Sequence, residues 1–480
     1  MPRITRKPMC LTVFVLALAT ADRTASAEDS LPALLREFFT APTIEERTSI
    51  EKRILAEKSL NHKKLAKAIR ALQLWEPQKS GEFELTVRLR KGKSSEKRLI
   101  VRIPDGYDPG KKWPLIIALH GRGAKPESML RGTVLTLGDH RDEYIVVAPD
   151  RLGAMISDSG DERTYNGAIS FTFPYGVVAQ PRLLLEALRR KYHIDSDRVY
   201  LMGFSLGGHN TWMAGVMHSD CFAGIMPLAT PMQVVGGDAL YEELLANLRN
   251  LPIVFSWGEK DTLDAKGNPD PSGGNAGISR MMAAVMQALG LDDFRGVEMA
   301  GAGHQDVVPP PAEFDWLLNR ARRHYPKTIH QAFRLPQQSD AYWVSADALQ
   351  CEPLSGETIN VQFKPGEDPK LATRRFLVSR LGLIEATCKA QSIDLRTRNV
   401  GHVNLLLSDE LLDLDKPIRI NRGKKELFSG KVERDLRVML REAARGWDFD
   451  RLPSVRVVVP VAGKVKFGYE EGRSKSSKSK

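Results

Sequence analysis

The sequence predicts an α/β protein: a mainly parallel sheet with helices on both faces, a helical N-terminal extension before it and a mostly β C-terminal accessory domain after it. Three observations carry this prediction. Between residues 81 and 326, short apolar runs alternate with amphipathic helical segments, the pattern of parallel strands joined by crossover helices. The run over 114–119 is apolar throughout, as a strand covered on both faces must be. Past Pro326 the helical period gives way to short alternating runs.

At the start of the chain, Arg3, Arg6 and Lys7 precede an apolar run over 11–19, and Ala25-Ser26-Ala27 supplies a small-x-small cleavage site. This pattern predicts a signal peptide over 1–27 and a secreted or periplasmic protein, with an uncleaved N-terminal anchor as the lesser alternative. The run is too short to span a bilayer. Net charge is +11; Arg3, Arg6, Lys7 and Arg23 against Asp22 account for +3, which leaves +8 after cleavage. The basic residues are scattered except in the tail 469–480, no nucleic-acid motif occurs, and no nucleic-acid partner is expected. Cys221, Cys351 and Cys388 remain after cleavage, so one bridge at most can form; Cys351 with Cys388 is the candidate, against buried free thiols.

Within 28–80, apolar positions such as Ile50, Ile54, Leu65, Ala68, Ile69 and Leu72 recur at helical spacing and predict two or three helices. The catalytic domain is placed at 81–326. A hairpin over 82–90 and 97–103 opens it, followed by strands over 114–119, 144–149, 223–228, 251–261 and 294–300. Helices are expected over 181–192, 279–289 and 311–322, and Asp195-Ser196-Asp197-Arg198 as a turn into the strand before Ser205. The accessory domain, 327–468, is read as strands over 342–345, 358–363, 386–395, 403–407, 418–421, 427–432 and 454–461, one helix over 434–445, and a hairpin turn at Asn421-Arg422-Gly423. The tail 469–480 has the composition of a disordered segment.

The chemistry centres on Gly203-Phe204-Ser205-Leu206-Gly207, which follows an apolar run and precedes a helix-forming segment. Strand, sharp turn and helix in that order make Gly-x-Ser-x-Gly a nucleophile elbow, with the serine hydroxyl raised over the helix N-terminus. A serine alone is a poor nucleophile and needs a histidine base and a carboxylate to orient it. Asp261, in a polar loop after an apolar run, and His304, in a Gly-Ala-Gly-His turn, are the candidates; Asp264 and Asp306 are rivals for the acid. No internal repeat or metal-ligand spacing occurs, and the chemistry calls for no cofactor and no metal.

Leu119-His120-Gly121-x-Gly123, Asp195-x-Asp197-Arg198-Val199-Tyr200, the elbow with Thr211-Trp212 downstream, Gly258-x-x-Asp261 and Gly303-His304 together resemble the α/β-hydrolase superfamily. The likeness is to secreted bacterial esterases related to feruloyl esterases, polyhydroxybutyrate depolymerases and phospholipase/carboxylesterases. The elbow is also similar to prolyl oligopeptidase-like catalytic domains. The resemblance covers about half the chain. It implies Ser205 as nucleophile, His304 as base, Asp261 as the orienting acid, and the backbone N–H groups of Arg122 and Leu206 as the oxyanion hole. Loops over 151–176, 230–240 and 262–277 would choose the substrate, with Tyr165, Phe171, Phe173 and Tyr175 as candidate pocket residues. An acylated polysaccharide, a storage polyester or small esters all suit such loops. A serine peptidase and a non-catalytic binding protein on the same fold are the alternatives to an esterase.

Overall fold

β3 (Trp113–Leu119) lies inside the main sheet with every residue buried. The computed structural model describes residues 30–89, 96–150, 180–232, 237–263, 268–270, 272–352, 361, 365–462 and 467–468. The expected signal peptide, the tail and most of the 358–363 strand lie outside them.

The chain divides into two compact units with the boundary between Lys58 and Ser59. The first contains α1 (Leu31–Thr40) and α2 (Ile44–Leu55), where the Thr43 side chain accepts a hydrogen bond from Glu46 N and caps α2. The second begins with α3 (His62–Arg70) and carries every strand of the described residues.

Its main sheet has eight strands in the order β1-β2-β4-β3-β5-β6-β7-β8. These are β1 (Gly81–Arg88), β2 (Glu96–Ile103), β3, β4 (Ile145–Pro149), β5 (Ile194–Phe204), β6 (Gly224–Leu228), β7 (Ile253–Gly258) and β8 (Phe294–Met299). β1 and β2 form the expected antiparallel hairpin, β2 also runs antiparallel to β4, and every other pair is parallel. Period-two side chains feed two cores. Leu115, Ile117, Val199 and Leu201 face one cluster; Ile116, Ala118, Tyr200 and Met202 face the other. Helices α5 (Gln180–Lys191), α6 (Leu206–Met217) and α8 (Gly274–Ala288) cover the first face, while α4 (Pro126–Leu137) and α9 (Pro311–Leu318) cover the second. A short α7 (Tyr241–Leu245) precedes β7.

Several boundaries differ from the sequence reading. Asp195 to Arg198 belong to β5, with a register shift between Trp113 and Leu115, and are no turn. α8 starts five residues before the expected 279, at Gly274, because its glycines serve contact: a Cβ at Gly274 would sit 2.6 Å from the Thr262 carbonyl carbon, and one at Gly277 2.1 Å from Ser272 O. A glycine-rich stretch reads as loop in sequence but forms the first turn of a tightly packed helix.

Beyond β8 the same unit adds a five-stranded sheet, order β16-β15-β13-β12-β9, a three-stranded β10-β14-β17 and a two-stranded β11-β18. Their ranges are β9 (Thr328–Phe333), β10 (Val344–Ala346), β11 (Ala348–Leu349), β12 (Gly382–Lys389), β13 (Ser392–Arg398), β14 (His402–Leu407), β15 (Ile418–Arg422), β16 (Lys425–Gly430), β17 (Val455–Pro460) and β18 (Phe467–Gly468). The single strand expected over 386–395 is two, β12 and β13, folded back at Ala390, which takes φ 48°. The turn expected at Asn421-Arg422-Gly423 falls one residue later: Arg422 pairs with Lys425 across Gly423 at φ 59° and Lys424. Among the described residues two helices are present where one was expected, α11 (Leu436–Gly446) and α10 (Pro369–Arg380). Asp368 caps α10 by accepting from Lys370 N with Pro369 at the first position, and Leu377 drops into the core of the main sheet. Cys351 and Cys388 are free thiols, so the candidate bridge does not form.

Ion pairs tie this region to the main sheet. Asp220, just past α6 and 1% exposed, accepts from Arg182 Nη2 at 3.0 Å and Arg451 Nη2 at 2.9 Å. Arg322 bridges Asp448 and Asp197. No helix of the described residues is long and apolar enough to cross a membrane.

Candidate active site

β5 ends at Phe204 and α6 begins at Leu206, so Ser205 alone makes the turn, at φ 53° and ψ −116°. A non-glycine residue in that region is strained, and the strain is held by the packing around it. Two glycines permit it: a Cβ at Gly203 would lie 2.3 Å from Gly207 O, and one at Gly207 2.1 Å from Leu119 O. Ser205 N donates to Leu228 O on β6 at 2.8 Å, and Thr211 Oγ1 donates back to Gly207 O at 2.9 Å. The expected elbow is therefore present, and Thr211 clamps it.

His304 follows β8 after a turn at Gly301, which takes φ 71°. Its Nε2 lies 2.8 Å from Ser205 Oγ, and its Nδ1 2.7 Å from Asp261 Oδ2. A carboxylate only accepts, so Nδ1 carries the proton and Nε2 is left as acceptor for the serine hydroxyl. Asp261, in the loop after β7, is 7% exposed, whereas the His304 side chain is 30% exposed. The rival Asp306 accepts from Gly303 N at 3.0 Å and so closes the histidine turn; Asp264 lies outside the described residues.

Leu206 N stands at the first position of α6, where helix N–H groups are unsatisfied and the dipole is positive. The other expected donor, Arg122, follows Gly121, whose Cβ position is 3.4 Å from Ser205 Cβ, so the loop after β3 lies directly beside the elbow. His120 Nδ1 is 2.8 Å from Gly121 O and belongs to that loop. His209, on α6, and His218, just past its end, are buried within the core. Tyr165, Phe171, Phe173 and Tyr175 lie outside the described residues.

Sequence reasoning missed Asn275. Its Nδ2 donates to Asp261 Oδ2 at 3.0 Å, the same oxygen that His304 uses. Its signal is weak, because the stretch before 279 reads as loop. The only close acidic trio among the described residues, Asp195, Asp197 and Asp450, is already matched by cations: Arg198, Arg322 with His324, and Lys112 respectively.

One eight-stranded sheet with antiparallel β2, the remaining crossovers parallel, and a serine elbow between its fifth strand and the next helix settles the architecture. It is the α/β-hydrolase fold. No protein-family model matches the chain, and no curated protein matches it. Among solved structures, a thermostable esterase matches at TM-score 0.39 and 20% identity, over 50% of this chain and 63% of that one. A ferulic acid esterase from the anaerobic fungus Anaeromyces mucronatus matches at TM-score 0.33 and 18% identity, over 52% and 94% of the two chains. A dipeptidyl aminopeptidase IV-like protein from Bacteroides ovatus matches at TM-score 0.35 and 15% identity, over 49% and 34%. The match spans less than two thirds of the thermostable esterase's own length. Likenesses this distant carry no argument about activity, which in any fold resides in the site.

Proposed function

We propose that the chain is an exported serine hydrolase that cleaves carboxylic esters. The observation that carries this reading is the unbroken chain Ser205 Oγ, His304, Asp261 Oδ2, with contacts of 2.8 and 2.7 Å. Ser205 Oγ attacks the ester carbonyl carbon while His304 Nε2 takes its proton. Negative charge gathers on the carbonyl oxygen, which the Arg122 and Leu206 N–H groups receive; one such donor contributes about 3 kcal/mol to lowering the barrier. The tetrahedral intermediate collapses to an acyl-serine as His304 gives the proton to the leaving alkoxide, releasing an alcohol. Water then attacks the acyl carbon with His304 again taking a proton, and the carboxylic acid leaves with Ser205 restored. Asp261 holds Nδ1–H throughout and offsets the charge on the imidazolium.

Covalent labelling with a fluorophosphonate and hydrolysis of p-nitrophenyl acetate, run beside a proline-peptide assay, test the reading. Labelling and ester turnover, both lost in Ser205→Ala, are expected; a wild-type chain that neither labels nor turns over refutes it. Acyl esters from acetyl to feruloyl to polymeric hydroxybutyrate then assign the substrate class. Export is supported by the basic, apolar and small-residue sequence of 1–27. Expression in a bacterial host should yield periplasmic protein beginning at Glu28, and a cytoplasmic chain that keeps Met1 would overturn it.

A further inference from the structure

We infer that Asn275 is a positioning residue for the reaction proposed above, acting through Asp261. The inference rests on that reading. Asn275 Nδ2 is 3.0 Å from Asp261 Oδ2 and 3.4 Å from His304 Nδ1. Because the carboxylate has no proton to give, the amide must present its NH2 group to it, and the oxygen of the amide points away.

Asp261 Oδ2 therefore accepts two hydrogen bonds, one from the imidazole and one from the amide. With Oδ2 held from both sides, the carboxyl group keeps one rotamer, and the imidazole it supports stays aimed at Ser205 Oγ. Asn275 itself is held from below. It is the second residue of α8, whose next residue, Ala276, donates its N–H to Asp261 O at 2.9 Å. Gly274, at φ 61°, is pressed against Asp261 O and Thr262 so closely that a Cβ would come within 2.9 Å of either. The first turn of α8 thus grips both the backbone and the side chain of Asp261.

Steady-state kinetics on p-nitrophenyl acetate across pH, with fluorophosphonate labelling rates, for wild type, Asn275→Ala and the near-isosteric Asn275→Asp test the inference. A lost hydrogen bond to a charged group predicts kcat lower by about 10- to 100-fold with KM little changed, and labelling slowed alike. Asn275→Asp, which sets an acceptor where Asp261 Oδ2 needs a donor, should fall at least as far as Asn275→Ala. A merely structural loss would lower the amount of folded enzyme and leave kcat per fluorophosphonate-labelled site unchanged. A wild type that labels and turns over while Asn275→Asp keeps its kcat per labelled site overturns the role of Asn275 alone. A wild type that does neither overturns the hydrolase reading and, with it, this one.

Discussion

His304 Nε2 rests 2.8 Å from Ser205 Oγ although 99 residues separate the two along the chain. The contact exists because β5 and β8 end on the same edge of a parallel sheet, so the turns after them meet. Ser205→Ala removes only the hydroxyl, in a turn that alanine can occupy at the same cost. Turnover should fall by about a million-fold and fluorophosphonate labelling should vanish, with the circular dichroism spectrum unchanged. Turnover near that of wild type would exclude Ser205 as nucleophile.

Gly207 is where the end of β3 and the elbow touch. In Gly207→Ala the new methyl would meet Leu119 O at 2.1 Å and His120 O at 2.9 Å, all of it backbone. The expected result is a loss of about 1–3 kcal/mol in urea unfolding together with a marked fall in kcat. Gly132→Ala, in the middle of α4 with nothing within 4 Å of the new atom, is the control and should be neutral or slightly stabilising.

His209, four residues past Ser205, is 6% exposed, and burial lowers its pKa to about 4 from 6.5. Between those values the unfolded chain binds a proton that the folded chain refuses, so stability rises with pH across the window and falls on acidification. From pH 6.5 to pH 4 the loss should approach about 3 kcal/mol from this group. His209→Gln should flatten the dependence of melting temperature on pH in that range; an equal slope in the variant would assign the acid sensitivity elsewhere.

Asp220 is 1% exposed and faces two guanidinium groups. Burial by itself would raise its pKa, but Arg182 and Arg451 outweigh that and hold it well below the ordinary carboxylate range. Asp220→Asn removes the carboxylate that Arg182 and Arg451 share, although Arg182 keeps Asp340 at 3.0 Å, and should cost about 3 kcal/mol in chemical denaturation. Glu96→Gln breaks the Arg88–Glu96 pair, whose side chains are 64% and 43% exposed, and should cost about 1 kcal/mol or less.

Much of the main sheet was legible because each strand announces itself locally. The run that became β3 is apolar at every position, which only a doubly covered strand tolerates. Gly203 and Gly207 flank a serine in the one arrangement that a strand-to-helix turn requires. The rest was hidden for a stated reason in each case. β12 and β13 merged in the reading because Ala390, at φ 48°, carries no turn signature. α8 was read short because its glycines, diagnostic of loops in general, are there for contact.

By itself, the sequence determined which backbone conformations were open at each point: where the chain could turn at Ser205, which runs needed cover on both faces, and the order of the serine, the acid and the base. Only the tertiary structure decided that Asp261 meets His304 while Asp306 closes its turn, that Asn275 shares the same carboxylate oxygen, and that Asp220 is held by an arginine more than two hundred residues away. The division has a physical cause. Torsional and burial preferences belong to neighbouring residues and are written in short stretches of chain, whereas hydrogen bonds between side chains depend on where whole strands and helices end, which no short stretch contains.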